Sequence, residues 1–479
     1  MIPSSILELP DETRHNVFQH VIAEIEKYTE QVGEHGVSPP LDVNSIRKNI
    51  SRFNFEEPAN PIEAVDLVVN NLWKYQVHTP HPMYFGLFNP RPTTMGIVAD
   101  ALAAAFNPQL AAWSHSPFAV EVEQYLIHEF GKRFGYDEKS VDGTFASGGA
   151  EANHTAILTA LNWKFPEFSH AGLRGCAKQP RLYVTSQSHH SFAKAARLCG
   201  LGNAAVKEIP LDTYHRMDVN ALRSQITQDR NGSFEPFFID ATGGSTNAGI
   251  IDPIANLAEI AQQEKLWLHV DAAWGGAAVM VPELKDALAG IERADSITFD
   301  AHKWLSVPMG AGMFLTRHRN ILDETFRVTT DYMPKEGAEL EKIEPYQHSM
   351  QWSRRFIGLK VFMSLLVAGW DGYAAVIRHQ TTMGNLLRNE LVKHNWEIVN
   401  DTPLPTVCFV DTLRHDGRTA HFIDTAAANV VASGKAWISS TRLGNNLPVL
   451  RACITNYQTQ EKDIFALVEI VNNVREEMK

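Results

Sequence analysis

Three candidate sites stand at the carboxyl ends of strand-like runs, where open α/β sheets place their functional groups. Asp271 follows LWLHV, Lys303 follows SITFDAH, and the turn Gly243-Gly244-Ser245-Thr246 follows FFIDAT. A fourth feature lies upstream. FASGGAEANHTAILTAL (145–161) is a small-residue turn, Ser147-Gly148-Gly149-Ala150, that opens a helical pattern. Bare amides at a helix N-terminus make an anion site suited to a phosphate. The turn is neither GxGxxG nor GxxxxGK, so the phosphate belongs neither to a dinucleotide nor to a triphosphate held by a P-loop. Taken singly, each residue has a plainer reading: a helix cap for Asp271, a solvated amine for Lys303, a simple turn for the glycines.

Taken together, a phosphate cradle, a lysine and an acid on adjacent strands are the set required by pyridoxal 5′-phosphate. The lysine forms the Schiff base. The acid pairs with the pyridinium nitrogen so that the ring acts as an electron sink. Such a lysine must be partly neutral to attack a carbonyl, which needs burial or a cationic neighbour. The apolar strand before Lys303 and the adjacent Trp304 are expected to supply that burial.

Residues 81 onward must position these groups. Strand-like runs at 181–185, 234–242, 266–273, 296–302 and 312–317 alternate with helical patterns at 151–164, 191–199 and 253–264. Near-continuous apolar strands between helices predict a mostly parallel sheet covered on both faces. Upstream, Phe18, Val21, Ile22, Ile25 and Tyr28 predict an amphipathic helix over 12–32. A second helix starts at Asn60-Pro61-Ile62-Glu63, with Asn as cap and Pro at the first helical position. These two helices lack a core of their own and must pack on the rest of the chain or on another subunit. Around 325–348 the periodicity stops, which predicts a functional lid or a disordered segment. A long helix is expected from near Trp352 past Leu366. Strands at 396–400, 406–411, 436–441 and 449–455, with helices at 419–433 and 460–476, predict a smaller α+β domain.

The chain has 479 residues, enough for two or three domains, and a globular composition. Its net charge of −12 argues against broad nucleic-acid affinity. Cys176, Cys199, Cys408 and Cys453 are scattered without a CxxC pair, which suits a reducing cytosol and a cytoplasmic location, and neither disulfides nor a metal site are expected. The N-terminus lacks the basic and apolar regions of a signal peptide, and the most apolar windows, such as 97–106, are too short or contain a charge, so neither a signal peptide nor a membrane span is expected.

Eight blocks resemble the group II pyridoxal-phosphate decarboxylases, the family of aromatic L-amino-acid and glutamate decarboxylases. They are HPMYFGLFNP (81–90), AAWSHSPFAVEVEQYLI (111–127), FASGGAEAN (145–153), QSHHSFAKAA (187–196), IDATGGSTNAGIIDPI (239–254), LWLHVDAAWGG (266–276), ADSITFDAHKWL (294–305) and WSRRFIGLK (352–360). The resemblance implies a fold type I transferase-like architecture with a seven-stranded, mostly parallel sheet. It divides the chain into an N-terminal helical segment (1–80) that packs across a homodimer, a cofactor domain (81–362) and a C-terminal domain (363–479). It implies roles as well. Lys303 is the covalent anchor, and Asp271 holds the pyridine nitrogen. Ala273 packs on one ring face and His189 on the other. Gly148 and Gly149 bind the phosphate with His302 nearby, and Thr246 lies near the ring. Tyr332, in TTDYMPKE, falls where such decarboxylases carry a loop tyrosine that reprotonates the carbon after CO2 leaves. A hydroxyl can serve as that general acid, whereas a phenyl ring has no proton to give. A hydrophobic anchor for the loop is the other reading of Tyr332.

The chain departs from the family in places. Asp300 stands where many members have Asn, and a carboxylate near a phosphate repels it unless amides or a cation intervene. Leu87, beside Phe88, and Ala111 replace aromatic residues of the aromatic decarboxylases, which trims the expected substrate walls. Arg91 and His115 lie in the same blocks and would either meet an acidic or polar substrate side chain or else make structural hydrogen bonds or face solvent. The expected activity is decarboxylation of an L-amino acid. The alternatives are an oxidative, aldehyde-forming deaminase on the same scaffold and, from another class, a catalytically silent dimeric binding protein.

Overall fold

The computed structural model describes residues 7–53, 55–328, 340 and 342–478. The chain opens with helices α1 (Asp11–Gln31), α2 (Val43–Ile50) and α3 (Pro61–Tyr75). The Asn60 side chain accepts from the amides of Ile62 and Glu63 at 2.9 and 3.4 Å, with Pro61 at the first helical position, as the sequence predicts. The eight-residue α2 falls outside the sequence expectation. Its start is fixed by Asp42, whose carboxylate accepts from the Ser45 amide. No residue of α1 or α3 is buried, although the two helices touch each other. Phe18, Ile22, Val68 and Leu72 are all half or more exposed.

Helices α4 (Thr94–Phe106) and α5 (Pro117–Phe134) lead into a seven-stranded sheet. Its strands are β1 (Asp142–Ala146), β2 (Gln179–Val184), β3 (Val206–Glu208), β4 (Phe234–Thr242), β5 (Trp267–Asp271), β6 (Ser296–Asp300) and β7 (Gly312–Thr316). The spatial order is β1-β7-β6-β5-β4-β2-β3. β7 runs against both its neighbours; every other pairing is parallel. The five strand-like runs of this region recur as β2 and β4 to β7. β1 is five residues with a glycine and β3 is three mostly polar residues, too little pattern to register. Between β1 and β2 lies α6 (Gly149–Lys164), whose N-terminus follows the small-residue turn.

The C-terminal sheet is antiparallel, with β8 (Trp396–Ile398), β9 (Thr406–Asp411), β10 (Ser439–Leu443) and β11 (Leu447–Cys453) in the order β10-β11-β9-β8. The run expected at 436–441 is displaced: Trp437 instead bridges Tyr84, and the strand begins at Ser439. The long helix begins at Gly358, not near Trp352, and ends at Lys393. Among the described residues it is the one helix whose length and hydropathy would suit a membrane span, but Gly369 leaves helical geometry (φ 63°, ψ 173°). It packs on α4, α5 and the C-terminal helix Glu461–Glu477.

Three apolar cores result. One lies against the large sheet and includes Phe130, Trp274, Phe299 and Trp304; a second surrounds the small sheet and includes Trp396, Phe409 and Phe422; a third includes Phe192, Phe237, Phe238, Trp267 and Phe314. Met83, Tyr84 and Phe85 pack into the second core.

Candidate active site

β6 ends at Asp300, and the chain then turns: the Lys303 amide donates to the Asp300 carbonyl at 3.0 Å and the Ser306 amide to the Lys303 carbonyl at 3.2 Å. Ser306 takes the left-handed conformation (φ 56°). Trp304 anchors this turn. Its indole is fully buried and donates to Gln380 Oε1 at 2.7 Å, and Gln380 donates in turn to the Thr455 carbonyl at 2.6 Å. The Trp304 ring lies 5.3 Å from Trp274, which is stacked on Phe88 at 4.5 Å. Lys303 therefore rises from an aromatic floor, with Nζ 5.9 Å from the Phe88 ring centre. Its side chain is 22% exposed.

Asp271 ends β5, next to β6 in the sheet. Its Oδ1 accepts from the Ala273 amide at 3.1 Å and its Oδ2 from Asn153 Nδ2 at 2.8 Å. Asn153 sits one helical turn into α6, four residues after Gly149, on the face turned to the sheet. Its Oδ1 accepts from Thr298 Oγ1 at 2.6 Å and lies 3.1 Å from His269 Nε2. Ser296 Oγ accepts from Trp267 Nε1 and lies 2.8 Å from His269 Nδ1. The consistent assignment has Ser296 donating to Nδ1 and His269 Nε2–H donating to Asn153, which satisfies every member. Burial lowers the His269 pKa to about 4, so the ring is neutral. Asn153 also donates to Ser191 Oγ at 2.9 Å, and Ser191 Oγ is 2.8 Å from His189 Nδ1. One buried amide thus orients both Asp271 and His189. The His189 ring keeps an open edge at the cavity mouth, yet its protein surroundings lower its pKa; partial burial is the main cause, opposed by the Asp271 charge. Near Asp271 sits Asp240, fully buried beside Ser188 and the Asp271 backbone, with neither oxygen in a well-formed hydrogen bond among the described residues.

At the start of α6, the Gly149 amide donates to Asp300 Oδ2 at 3.0 Å. Lys303 Nζ lies 3.0 Å from the same oxygen and His302 Nε2 3.8 Å from it. His302 Nδ1 accepts from the Ala311 amide, and burial lowers its pKa. A side chain at Gly149 would put a Cβ 3.0 Å from Asp300 Oδ2 and 3.4 Å from the Ala273 methyl, so the turn is closed to larger residues. Glu151 reaches back to the Ser147 amide and hydroxyl and so closes the turn from outside.

One cavity of about 410 Å³, including the solvent at its mouth, collects Lys303, Asp271, His189, Ala273, Thr246 and Gly149. Gly148 and His302 flank it through the Asp300 cluster, since a Cβ on Gly148 would meet the His302 ring at 3.5 Å. Phe88 does not line it directly but stacks on the lining residue Trp274. Leu87 is half exposed, Ala111 is buried with its carbonyl bound by the Tyr346 amide, and His115 is exposed; none of the three lines this cavity. Arg91 is tied to Gln458 at 2.6 Å and to the Thr29 carbonyl, away from Lys303. Tyr332 lies outside the described residues.

Asn153, Ser191, His269, Thr298 and Arg451 form no part of the sequence reading. The first four lie inside the family-like blocks but resemble ordinary helix and strand polar residues. Arg451 comes from β11: Nε donates to the Thr246 carbonyl at 2.9 Å and Nη1 to that of Gly86 at 2.7 Å, with the guanidinium 5.1 Å from the Phe88 ring centre. Pyridoxal 5′-phosphate fits this donor set: an amine, a preoriented carboxylate, an imidazole and a glycine turn at a helix N-terminus face one space.

The residues 47–411 match the pyridoxal-dependent decarboxylase conserved domain. The chain is 29% identical over 454 residues to the aromatic-L-amino-acid decarboxylase of Bacillus atrophaeus, covering 92% of this chain and 91% of that one. It is 27% identical over 367 residues to an L-aspartate decarboxylase of Metarhizium robertsii, covering 75% and 73%. The fold matches that of the Oryza sativa TDC solved with PLP and tryptamine, with a TM-score of 0.91, 23% identity and coverage of 98% and 99%.

Proposed function

The chain belongs to the pyridoxal-dependent decarboxylase family, and from that premise we propose that it converts an L-amino acid to its amine and CO2, with Lys303, Asp271 and His189 as the central residues. It is a pyridoxal-phosphate-dependent carboxy-lyase. The observation that carries the residue assignment is their convergence on one cavity, with Asn153 bonded to Asp271 and joined through Ser191 to His189.

When bound, pyridoxal 5′-phosphate supplies the conjugated ring that takes up electrons as the carboxylate bond breaks. Lys303 offers a primary amine for covalent attachment. Asp271, with both oxygens already oriented, holds a proton at the pyridine nitrogen. Neutral His189 covers the mouth, the methyl of Ala273 lies within the cavity, and Thr246 lies at its edge. Gly148 and Gly149 turn the start of α6 toward the phosphate. The aromatic floor of Phe88, Trp274 and Trp304 excludes water beneath the amine. Tyr332 is the proposed proton donor to the product carbon. Leu87 and His115, both exposed, would reach substrate only from a second copy. The exposed apolar side chains of α1 and α3 support a homodimer, and four unpaired cysteines support a cytoplasmic location.

The test is CO2 release over the common amino acids, 2,4-diaminobutyrate and cysteine sulfinate. Wild type should release CO2 with one class of these, and Lys303→Ala should lose both turnover and the yellow absorbance of the attached cofactor. Retained turnover in that variant would remove Lys303 from the assignment. Stoichiometric peroxide and ammonia from wild type would replace simple decarboxylation by oxidative deamination.

A further inference from the structure

Asp300 is the one residue of the Lys303 stretch that the cofactor chemistry does not account for. It ends β6 and is 1% exposed. Its Oδ2 gathers the Gly149 amide at 3.0 Å, Lys303 Nζ at 3.0 Å and His302 Nε2 at 3.8 Å. Its Oδ1 is buried without a hydrogen-bond partner among the described residues. That oxygen is wedged against the backbone: a Cβ on Gly312 would lie 2.7 Å from it. The groups held by Oδ2 are those that a phosphate-bearing aldehyde requires, namely a helix N-terminal amide, an imidazole and an amine.

We propose that Asp300 is an internal anion that holds the Gly149 amide and competes with the cofactor phosphate for it, so that loading the cofactor means giving up the Gly149–Asp300 bond. This rests on the reading of Lys303 and the α6 turn under the proposed function. An amide has one hydrogen to direct. The positive end of a helix favours an anion, but two anions a few ångströms apart repel each other in a poorly solvated site. The surrounding charges do not relieve this. Burial lowers the His302 pKa and keeps the ring uncharged. His189 across the cavity is held neutral in the same way, and Asp271 adds a second carboxylate. Lys360 is engaged by Asp100 at 3.1 Å. Among the described residues, Lys303 is the cation in contact with Asp300, and it is the group to be attached to the cofactor. A neutral side chain of the same shape would keep the Gly149 contact as an acceptor while removing the repulsion.

The experiment strips the full-length protein of cofactor and titrates it with pyridoxal 5′-phosphate and with pyridoxal, which lacks the phosphate. Binding is followed by visible absorbance in wild type, Asp300→Asn and Asp300→Ser, with thermal unfolding recorded for each. Both variants should bind pyridoxal 5′-phosphate about tenfold more tightly than wild type, while pyridoxal binding changes by less than about twofold. Inorganic phosphate should block cofactor uptake at correspondingly lower concentration in the variants. Equal or weaker affinity for pyridoxal 5′-phosphate in the folded variants overturns the proposal, as does an equal gain for pyridoxal. If wild type develops no Lys303-dependent absorbance, the cofactor reading itself falls and the role of Asp300 falls with it. Normal wild-type absorbance with unimproved variants removes the role of Asp300 alone.

Discussion

Asn153 joins two side chains that never meet in sequence. It donates to Asp271 and to Ser191, which contacts His189. Asn153→Leu keeps the branched shape in a larger side chain but leaves Asp271 Oδ2 without its donor and Thr298 and His269 without their acceptor. Loss of such buried partners costs about 1–3 kcal/mol each. Cofactor affinity should fall by at least about tenfold, read by absorbance titration, with a lowered unfolding temperature. Asp240 makes the opposite case. Burial, and then the neighbouring Asp271 charge, push its carboxyl well above the usual carboxylate range. The folded state therefore keeps a proton that the unfolded state releases in the ordinary Asp range. Folded-state proton binding exceeds unfolded, so stability falls as pH rises through that window, by up to about 1.4 kcal/mol per pH unit. Asp240→Val removes the group. Its stability relative to wild type, from denaturant unfolding at pH 5 and pH 8, should be more favourable at pH 8; a pH-independent difference would refute the assignment.

Between elements, the close approach of β7 to the start of α6 decides where the glycine turn sits. A Cβ on Gly312 would come within 2.7 Å of Gly148 Cα, which is backbone and cannot rotate away. A Cβ on Gly148 would find its nearest neighbour, His302 Cε1, at 3.5 Å. Gly312→Ala should thus cost about 1–3 kcal/mol and weaken cofactor binding, while Gly148→Ala stays near wild type. Thermal unfolding and a cofactor titration of the two variants side by side check the contrast. The same spacing explains the sheet. β7 carries a glycine where it faces Asp300, in register Asp300↔Gly312, so that the buried carboxylate fits between strand and helix.

For the whole molecule, α1 and α3 present apolar side chains that the described residues leave half or more exposed. Ile22 and Leu72 are at least half exposed. If a second copy covers them, as proposed, Ile22→Asp together with Leu72→Asp should yield monomers by analytical ultracentrifugation. The folded circular-dichroism spectrum should persist, since neither residue belongs to a core. A dimer unchanged by the double substitution would place the interface elsewhere. Within one copy, Arg451 ties the small sheet to the large-sheet region through the carbonyls of Thr246 and Gly86, so the site rests on both sheets.

Periodicity and local chemistry made much of this legible in advance. Alternating apolar strands and helices specified the layered sheet, Asn60-Pro61 marked a helix start, and the strand-end positions of Asp271 and Lys303 pointed to one site. Those features depend on neighbours a few residues apart. What the tertiary structure decided are contacts across long stretches of chain. The bond from Asn153 to Asp271 spans 118 positions, that from Gly149 to Asp300 spans 151, and that from Arg451 to Thr246 spans 205. An isolated Asn in a helix or Arg in a strand carries no local sign of its partner, because packing of the elements, and not their propensities, sets which polar groups meet. The same reason made the Asp300 carboxylate, known from sequence only as a departure from family pattern, a residue with an identifiable set of partners.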